Sequence, residues 1–97
     1  MELWLNQGAI NEREELKIRD AILDNAILES AILDNADLTQ ADLEAADLSG
    51  ADLAIANLNQ ANLNQAALER ANLRGANLKN ANLDGTILEG GDSSLAT

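Results

Sequence analysis

Four aspartates spaced five residues apart are the side chains of this sequence with the clearest potential for chemistry: Asp37, Asp42, Asp47 and Asp52. Neighbouring carboxylates can act as a general acid and base, bind Ca²⁺ or attract a basic protein. The chain contains no Cys and no His, so it lacks a thiolate nucleophile and the commonest general base. Because nothing places a base beside a nucleophile, we predict no catalytic residues.

We also predict no metal site and no cofactor, because no segment concentrates oxygen ligands at the spacing of known calcium-binding loops. The four aspartates, here called the Asp ring, are instead interpreted as a candidate protein-interaction surface. The segment from Asp20 to Asp52 supports this interpretation, since it holds nine acidic residues and no Lys or Arg. In the alternative, the aspartates serve solubility and accept hydrogen bonds from the backbone of a turn.

The composition limits the partners that we expect for this chain. Its 97 residues indicate one domain, and its net charge of −11 repels nucleic acid phosphates and anionic membranes. We therefore predict no direct binding to nucleic acid or membrane. The segment Met1–Ile10 lacks a basic region and a long apolar run, and no stretch approaches the roughly 18 apolar residues of a membrane span. We accordingly predict a cytoplasmic location.

The chain repeats every five residues from Leu16 to Gly90, which makes fifteen copies. The third position is Leu without a break from Leu23 to Leu88, and the first is Ala from Ala21 to Ala81. Five residues of α-helix advance about 500°, so the leucines would not form one stripe. In a straight strand the odd period would move them to alternate faces. The pattern therefore predicts a solenoid that turns once per repeat and encloses Ala and Leu.

The second position of the repeat indicates how many copies complete one coil. Its residue types change in blocks of about four, which favours a coil of four repeats, or 20 residues. In that register Asp42 would stack between Ile22 and Asn62, so that like charges avoid facing one another. The fifth position holds all but two of the glycines, which predicts a turn with positive φ there: Gly50, Gly75, Gly85 and Gly90.

The units Ala-Asp-Leu-Thr-Gln (36–40), Ala-Asn-Leu-Asn-Gln (61–65) and Ala-Asn-Leu-Arg-Gly (71–75) resemble the tandem repeats of the pentapeptide-repeat family. The resemblance covers residues 16–90 and implies an all-β fold, a right-handed quadrilateral β-helix of about four coils. The family's central residue is Leu or Phe, and it is never Phe here. We divide the chain into an N-terminal cap over 1–15, the β-helix over 16–90 and a flexible C-terminal tail over 91–97.

Both ends of the solenoid raise the question of what covers the terminal coils. Asn11 and Glu14 fit a helix-start capping box, so the cap is predicted to be helical. Three isoleucines at outward second positions are interpreted as contacts for this cap, or alternatively for a partner protein: Ile22, Ile27 and Ile32.

The polar segment 91–97 offers no visible cap at the other end. An open edge there could support an end-to-end dimer or pairing with another repeat protein. In the alternatives, the edge frays, or the chain is part of a longer repeat protein.

These observations favour a non-catalytic structural or protein-interaction solenoid that presents acidic faces to an unidentified protein partner. The family resemblance implies an alternative, because some members are acidic rods that mimic duplex DNA and bind DNA topoisomerases such as gyrase. Fifteen repeats would form a rod about 18 Å long, which spans only about five base pairs. Residues 69–97 also carry four acids against three bases, namely Arg70, Arg74 and Lys79. We interpret these three bases as a solvated face.

Overall fold

A computed structural model describes residues 16–97, which form one continuous β-helix. Twelve parallel bridges join second-position residues that lie 20 apart, from Lys17–Asp37 to Asn72–Asp92. The predicted coil of four repeats is therefore confirmed, and Asp42 is bridged to both Ile22 and Asn62. Because the chain turns every five residues, each coil has four sides.

The strands are as short as a strand can be. Each is a single bridged residue at the second position of a repeat, and a turn over the fourth and fifth residues follows it. The part of the chain from 16 to 97 contains no helix and no longer strand. A repeat leaves only three residues between its corners, so longer strands have no room to form.

We number the four sides in chain order and use these numbers below. Side 1 contains the repeats that begin at residues 16, 36, 56 and 76, and side 2 those that begin at 21, 41, 61 and 81. Side 3 contains the repeats that begin at 26, 46, 66 and 86, and side 4 those that begin at 31, 51, 71 and 91. The fourth and fifth residues of each repeat form the corner that leads to the next side.

One repeat shows how the backbone is held. In residues 41–45, the amide of Asp42 donates to Ala21 O of the preceding coil at 2.9 Å. The amides of Leu43 and Ala45 donate to the following coil at 2.7 and 2.8 Å, and that of Ala46 closes the corner onto Leu43 O at 3.0 Å. The fourth-position amide alone lacks a backbone partner within this pattern.

The core is a column of leucines and alanines. Ten third-position leucines from Leu28 to Leu73 are at most 2% exposed, and the first-position alanines from Ala31 to Ala76 are buried with them. The prediction of two inward side chains per repeat is confirmed over this stretch. Towards the C-terminal end the core opens, since Leu83 is only partly buried and Leu88 is 45% exposed.

The corners have the left-handed conformation in all sixteen repeats of the described chain. The four fifth-position glycines have φ between 67° and 74°, as predicted, and twelve other residues share that conformation. Asn and Asp tolerate it comparatively well, whereas a β-branched side chain does not. Ile55, with φ of 61°, is the β-branched residue among the twelve, and its side chain is 64% exposed.

Replacing Ile55 by Asn should raise the free energy of unfolding by about 1 kcal/mol, because Asn adopts this backbone conformation with less strain. Urea unfolding at low protein concentration measures the change. Gln65→Asn at an equivalent corner is the control, since Gln65 is not β-branched and should gain less. An equal gain in both variants, or no gain at Ile55, would contradict the strain argument.

The β-helix continues past residue 90, the boundary that the sequence analysis gave. Asp92 is bridged to Asn72, and the amides of Asp92 and Thr97 donate to Ala71 O and Ala76 O at 3.0 Å. Residues 91–95 therefore form a sixteenth repeat although Ser93 replaces the central leucine. Backbone bonds to the preceding coil form without a leucine. The sequence pattern, which relied on the leucine, therefore did not predict this repeat. The predicted cap, residues 1–15, lies outside the described residues.

The last described coil presents an edge of backbone amides. Among residues 16–97, the third- and fifth-position amides of this coil that have no backbone acceptor are those of Asn80, Leu83, Gly85, Leu88, Gly90, Ser93 and Leu95. An end-to-end dimer, or pairing with another repeat protein, through this edge remains a prediction. Residues 16–97 contain no helix that is long and apolar enough to span a membrane.

Candidate protein-interaction surface

The Asp ring occupies one coil, with one aspartate on each side. Asp37 lies on side 1, Asp42 on side 2, Asp47 on side 3 and Asp52 on side 4. Because the four sides face different directions, a single flat partner cannot contact all four carboxylates. The structure therefore does not bring these residues together into one surface.

Each member of the Asp ring caps its own turn. Asp37 Oδ1 accepts the amide of Thr39 at 3.1 Å, and Asp47 Oδ1 accepts that of Ser49 at 3.0 Å. The amide that is bound in each case is the fourth-position N–H that has no backbone partner. The same bond recurs in eight further repeats, made by Asp42, Asp52, Asn57, Asn62, Asn72, Asn77, Asn82 and Asp92. This bond gives a structural reason for Asp or Asn at the second position.

Amide side chains separate the carboxylates along the axis. Asn62 Nδ2 donates to Asp42 Oδ1 at 3.4 Å, and Asn72 Nδ2 donates to Asp52 Oδ1 at 3.3 Å. Two aspartates stacked at the same positions would repel each other. An Asn in the coil that follows each of these aspartates therefore avoids this repulsion in both columns.

Two members of the Asp ring receive an additional hydroxyl. The Thr39 hydroxyl donates to Asp37 Oδ1 at 2.6 Å, and together with the Thr39 amide it lowers the pKa of the Asp37 carboxyl. The Ser49 hydroxyl, followed by the Ser49 amide, lowers the pKa of Asp47 in the same way. In both aspartates, the hydroxyl and amide hydrogen bonds stabilise the ionised form of the carboxylate.

Asp47 should make the stability of the fold depend on acid pH. A lowered folded-state pKa gives stabilisation that is present above the unfolded value, ordinarily 3.8, and is lost as the pH falls through the folded value. Asp47→Asn keeps the oxygen that accepts the amide but cannot ionise. The stability advantage of wild type over this variant should therefore shrink as the pH falls from neutral to below 3.8.

Urea unfolding at a series of pH values measures this difference. Ser49→Ala is the matched control, because it removes the hydroxyl that contributes most to the lowered pKa of Asp47. Asp47→Asn in the Ser49→Ala background should show a weaker pH dependence. A stability difference that stays constant with pH in the wild-type background would contradict the assignment.

The three outward isoleucines lie on three different sides of the first described coil. Ile22, Ile27 and Ile32 are 81%, 67% and 72% exposed. They occupy the position that Asp or Asn fills in ten other repeats, and their side chains cannot accept the turn amide. Contact with an N-terminal cap falls outside the described residues, so both the cap contact and the partner contact stay predictions.

The structure shows a segregation of charge that the sequence analysis missed. At the fourth position, the corner of side 2 stacks Asp24, Glu44 and Asp84, and the corner of side 3 stacks three glutamates, Glu29, Glu69 and Glu89. With Asp42 and Asp47, these two sides hold eight carboxylates and one cation, Arg70. We call sides 2 and 3 together the acidic side. Aligning the sequence at a period of 20 would have revealed it.

The remaining cations of residues 16–97 lie on the other two sides. Lys17, Arg19 and Lys79 belong to side 1, and Arg74 belongs to side 4. The three bases that the sequence places close together, Arg70, Arg74 and Lys79, are thus distributed over three sides. Arg19 forms an exposed ion pair with its neighbour Asp20 at 3.9 Å.

The described residues do not assemble a metal centre. Within 16–97, no group of three or more carboxylates lies close enough to hold a metal ion. The carboxylates along each corner are separated by one or two coils, and successive coils are about 4.8 Å apart. The acidic side is thus an extended charged surface.

The repeat is also recognised by comparison with known proteins. A family model described as Pentapeptide repeats (8 copies) matches residues 21–54 and 51–90, which together cover most of the chain. The chain belongs to the pentapeptide repeat family. The resemblance that the sequence suggested is thereby confirmed, and so is the right-handed quadrilateral β-helix.

Solved structures of other pentapeptide repeat proteins are similar. Rfr23 from the cyanobacterium Cyanothece 51142 is 44% identical with a TM-score of 0.79, over 84% of this chain and 57% of that one. HetL from Nostoc sp. strain PCC 7120, involved in heterocyst differentiation regulation, is 33% identical with a TM-score of 0.51, over 84% of this chain and 40% of that one.

A third similar structure comes from a plant. It is a pentapeptide repeat protein of the Arabidopsis thaliana thylakoid lumen, 27% identical with a TM-score of 0.53, over 98% of this chain and 71% of that one. The chain thus spans well under two thirds of the length of the two cyanobacterial proteins. A search of curated proteins gave no match.

Proposed function

We propose that this pentapeptide repeat protein is a non-catalytic interaction solenoid whose acidic side binds a basic partner protein. The observation that carries the proposal is the segregation of charge, with eight carboxylates and one cation on sides 2 and 3. Sides 1 and 4 carry five carboxylates and four cations, and are therefore much closer to neutral.

The fourth-position carboxylates are the ones available to a partner. Asp24, Glu44 and Asp84 are exposed, and their side chains cap no turn amide. A partner can therefore bind them without removing a bond that holds the fold. The Asp ring contributes Asp42 and Asp47 to the same side, where their charge adds to the field while their oxygens stay bound to the turns.

The backbone makes this surface rigid, which lowers the entropic cost of binding. Apart from the last two, at Gly85 and Gly90, the corners on the acidic side are tied to the next coil, as by the Ala45 amide to Asn64 O at 2.8 Å and the Gly50 amide to Glu69 O at 2.8 Å. Asn64 and Ser49 each interrupt one of the two rows, so the carboxylates lie one or two coils apart, about 4.8 or about 9.6 Å. Such rows would be complementary to a basic surface with a similar repeat.

Two variants of equal net charge test the proposal. The acidic-side variant carries Asp24→Asn, Glu44→Gln, Glu69→Gln and Asp84→Asn. The control carries Asp34→Asn, Asp37→Asn, Asp52→Asn and Asp92→Asn, which removes four charges from sides 1 and 4. Asn keeps the oxygen that caps the turn at the second position, so the control should retain the fold.

Proteins retained from a lysate of the source organism by wild type and by each variant are compared by quantitative mass spectrometry. We expect a basic protein that wild type and the control retain, with affinity lowered roughly tenfold or more by the acidic-side variant and by added salt. Equal losses in both variants, or no specific protein, would contradict the proposal. A DNA topoisomerase bound through the acidic side would instead favour the DNA-mimic alternative.

A further inference from the structure

One corner of the β-helix carries large apolar side chains where the other corners carry small or polar ones. Ile55 and Leu95 occupy the fifth position of side 4, and they are 64% and 73% exposed. Both have the left-handed backbone conformation, with φ of 61° and 63°. The fold gains nothing from a strained isoleucine in contact with water, so the position calls for another explanation.

The two side chains lie on one line with a gap between them. Ile55, Gly75 and Leu95 are 20 residues apart, so they occupy the same corner in three successive coils. Gly75 has no side chain, and a Cβ at that position would lie 3.4 Å from Ile55 Cγ1. The corner therefore presents an apolar side chain one coil before Gly75 and another one coil after it, with a notch at the centre.

The charge around this corner differs from that of the opposite corner. Next to Ile55, Gly75 and Leu95 stand Ala54, Arg74 and Ser94, so these three coils carry one positive charge here. The corner of side 2, diagonally across the coil, carries Glu44 and Asp84 in the same coils. A second copy of this acidic chain thus meets less repulsion at the corner of side 4 than at the corner of side 2.

We propose that the corner formed by Ile55, Gly75 and Leu95 binds a second copy of this chain in an antiparallel arrangement. A two-fold axis that passes beside Gly75 brings Ile55 of one copy against Leu95 of the partner subunit, and Leu95 of that copy against the partner's Ile55. Such an interface is isologous, because the same surface serves both copies. The equal spacing of the two apolar side chains about Gly75 is what an antiparallel pair requires.

The contact is narrow, and the dimer is correspondingly weak. Stable protein interfaces bury about 1,200–2,000 Å² in total, whereas one corner offers two large apolar side chains per copy. We therefore expect a dissociation constant of roughly 0.1–1 mM. This surface lies opposite the acidic side and does not depend on the function proposed for that side.

Sedimentation velocity over a range of concentrations tests whether the corner mediates association. Wild type should sediment faster as its concentration rises towards about 1 mM, and Ile55→Asn and Leu95→Asn should each remove this increase. Ile87→Asn is the matched control, since it removes an exposed isoleucine, 51%, from side 3 and should associate as wild type does. A monomer at every concentration, or equal loss in the control, overturns the proposal.

Disulfide cross-linking tests the antiparallel orientation, and it is simple to interpret because the chain has no cysteine. Ala54→Cys and Ser94→Cys place thiols beside Ile55 and Leu95 while leaving both apolar side chains in place. In an equimolar mixture, dimers that join position 54 to position 94 should exceed either homodimer roughly tenfold. Glu44→Cys on the opposite corner gives the background rate. A predominance of homodimers, or cross-linking no faster than this background, overturns the proposal.

Discussion

Replacing Leu58 by Ala should lower the free energy of unfolding by about 2–5 kcal/mol. Leu58 is 0% exposed and lies in the central part of the buried column, on side 1 between Leu38 and Leu78. The Leu58 amide donates to Asn77 O at 2.7 Å, and the Leu38 amide donates to Asn57 O at 2.8 Å. Because these bonds fix the spacing of the coils, the surrounding backbone cannot collapse into the cavity.

Urea unfolding followed by circular dichroism measures this loss. Leu88→Ala is the matched control, because Leu88 has the same position in its repeat but is 45% exposed. Its loss should be smaller, about 1 kcal/mol, since nearly half of Leu88 already contacts water. Equal losses at both positions would contradict the view that the tightly packed core is confined to the middle coils.

The architecture could be predicted from the sequence because several patterns agree. A five-residue period with Ala at the first position and Leu at the third excludes both a helix and a straight strand, which leaves a coil that turns once per repeat. The block pattern at the second position then gave the register of 20 residues that the bridges confirm. Each copy adds the same information, so errors in one repeat are outweighed by the others.

The corners were predicted less completely. Glycine at the fifth position predicted positive φ there, but twelve residues other than glycine, including Ala45 and Ile55, also have positive φ. Tertiary constraints explain this difference, because hydrogen bonds on both sides of the corner impose a conformation that the residue itself does not favour. Local preference is thus a poor guide where the backbone is held from two directions.

The end of the β-helix was missed for a related reason. The sequence pattern depended on the central leucine, and Ser93 takes that place in residues 91–95. The structure instead depends on backbone bonds, such as that from the Gly75 amide to Ser94 O at 3.0 Å. Side-chain periodicity therefore locates the core well and the last coil poorly.

The candidate surface could not be predicted from the sequence alone, because the charged residues must first be assigned to the four sides of the coil. Along the chain, Asp37, Asp42, Asp47 and Asp52 look like a cluster, yet the coil places them on four sides. Conversely, Glu44 and Asp84 are 40 residues apart in sequence and share one corner. The sequence contained this signal at the fourth position, where it emerges only after the register is known.

Each position of the repeat has a different structural role, which explains why the fold is easier to predict from the sequence than a binding partner. Position one and position three fill the core, position two caps the turn and position five makes the corner. At position four only hydroxyls such as those of Thr39 and Ser49 support the capping aspartates, so this position is the freest to vary for binding. Information about function should accordingly lie at position four and at departures from the pattern, of which Ile55 and Leu95 are examples.

Replacing Gln65 by Pro should destabilise the fold by about 3 kcal/mol or more. Gln65 is an exposed corner residue with φ of 61°, and its amide donates to Asp84 O at 2.7 Å. Proline fixes φ near −65° and has no amide hydrogen, so it loses both the corner and the bond between coils. In a solenoid each repeat contacts only its neighbours, so an interrupted coil separates the core into two shorter stacks.

Gln65→Gly separates these causes from the loss of the glutamine side chain. Glycine adopts positive φ readily and keeps the amide, so its free energy of unfolding should stay within about 1 kcal/mol of wild type. Thermal and urea unfolding of the two variants measure the difference between them. If the proline variant were as stable as the glycine variant, the left-handed corner would not be what closes the coil at this position. A large difference would instead establish that the corner at Gln65 must be left-handed and hydrogen-bonded for the next coil to stack on the buried leucines.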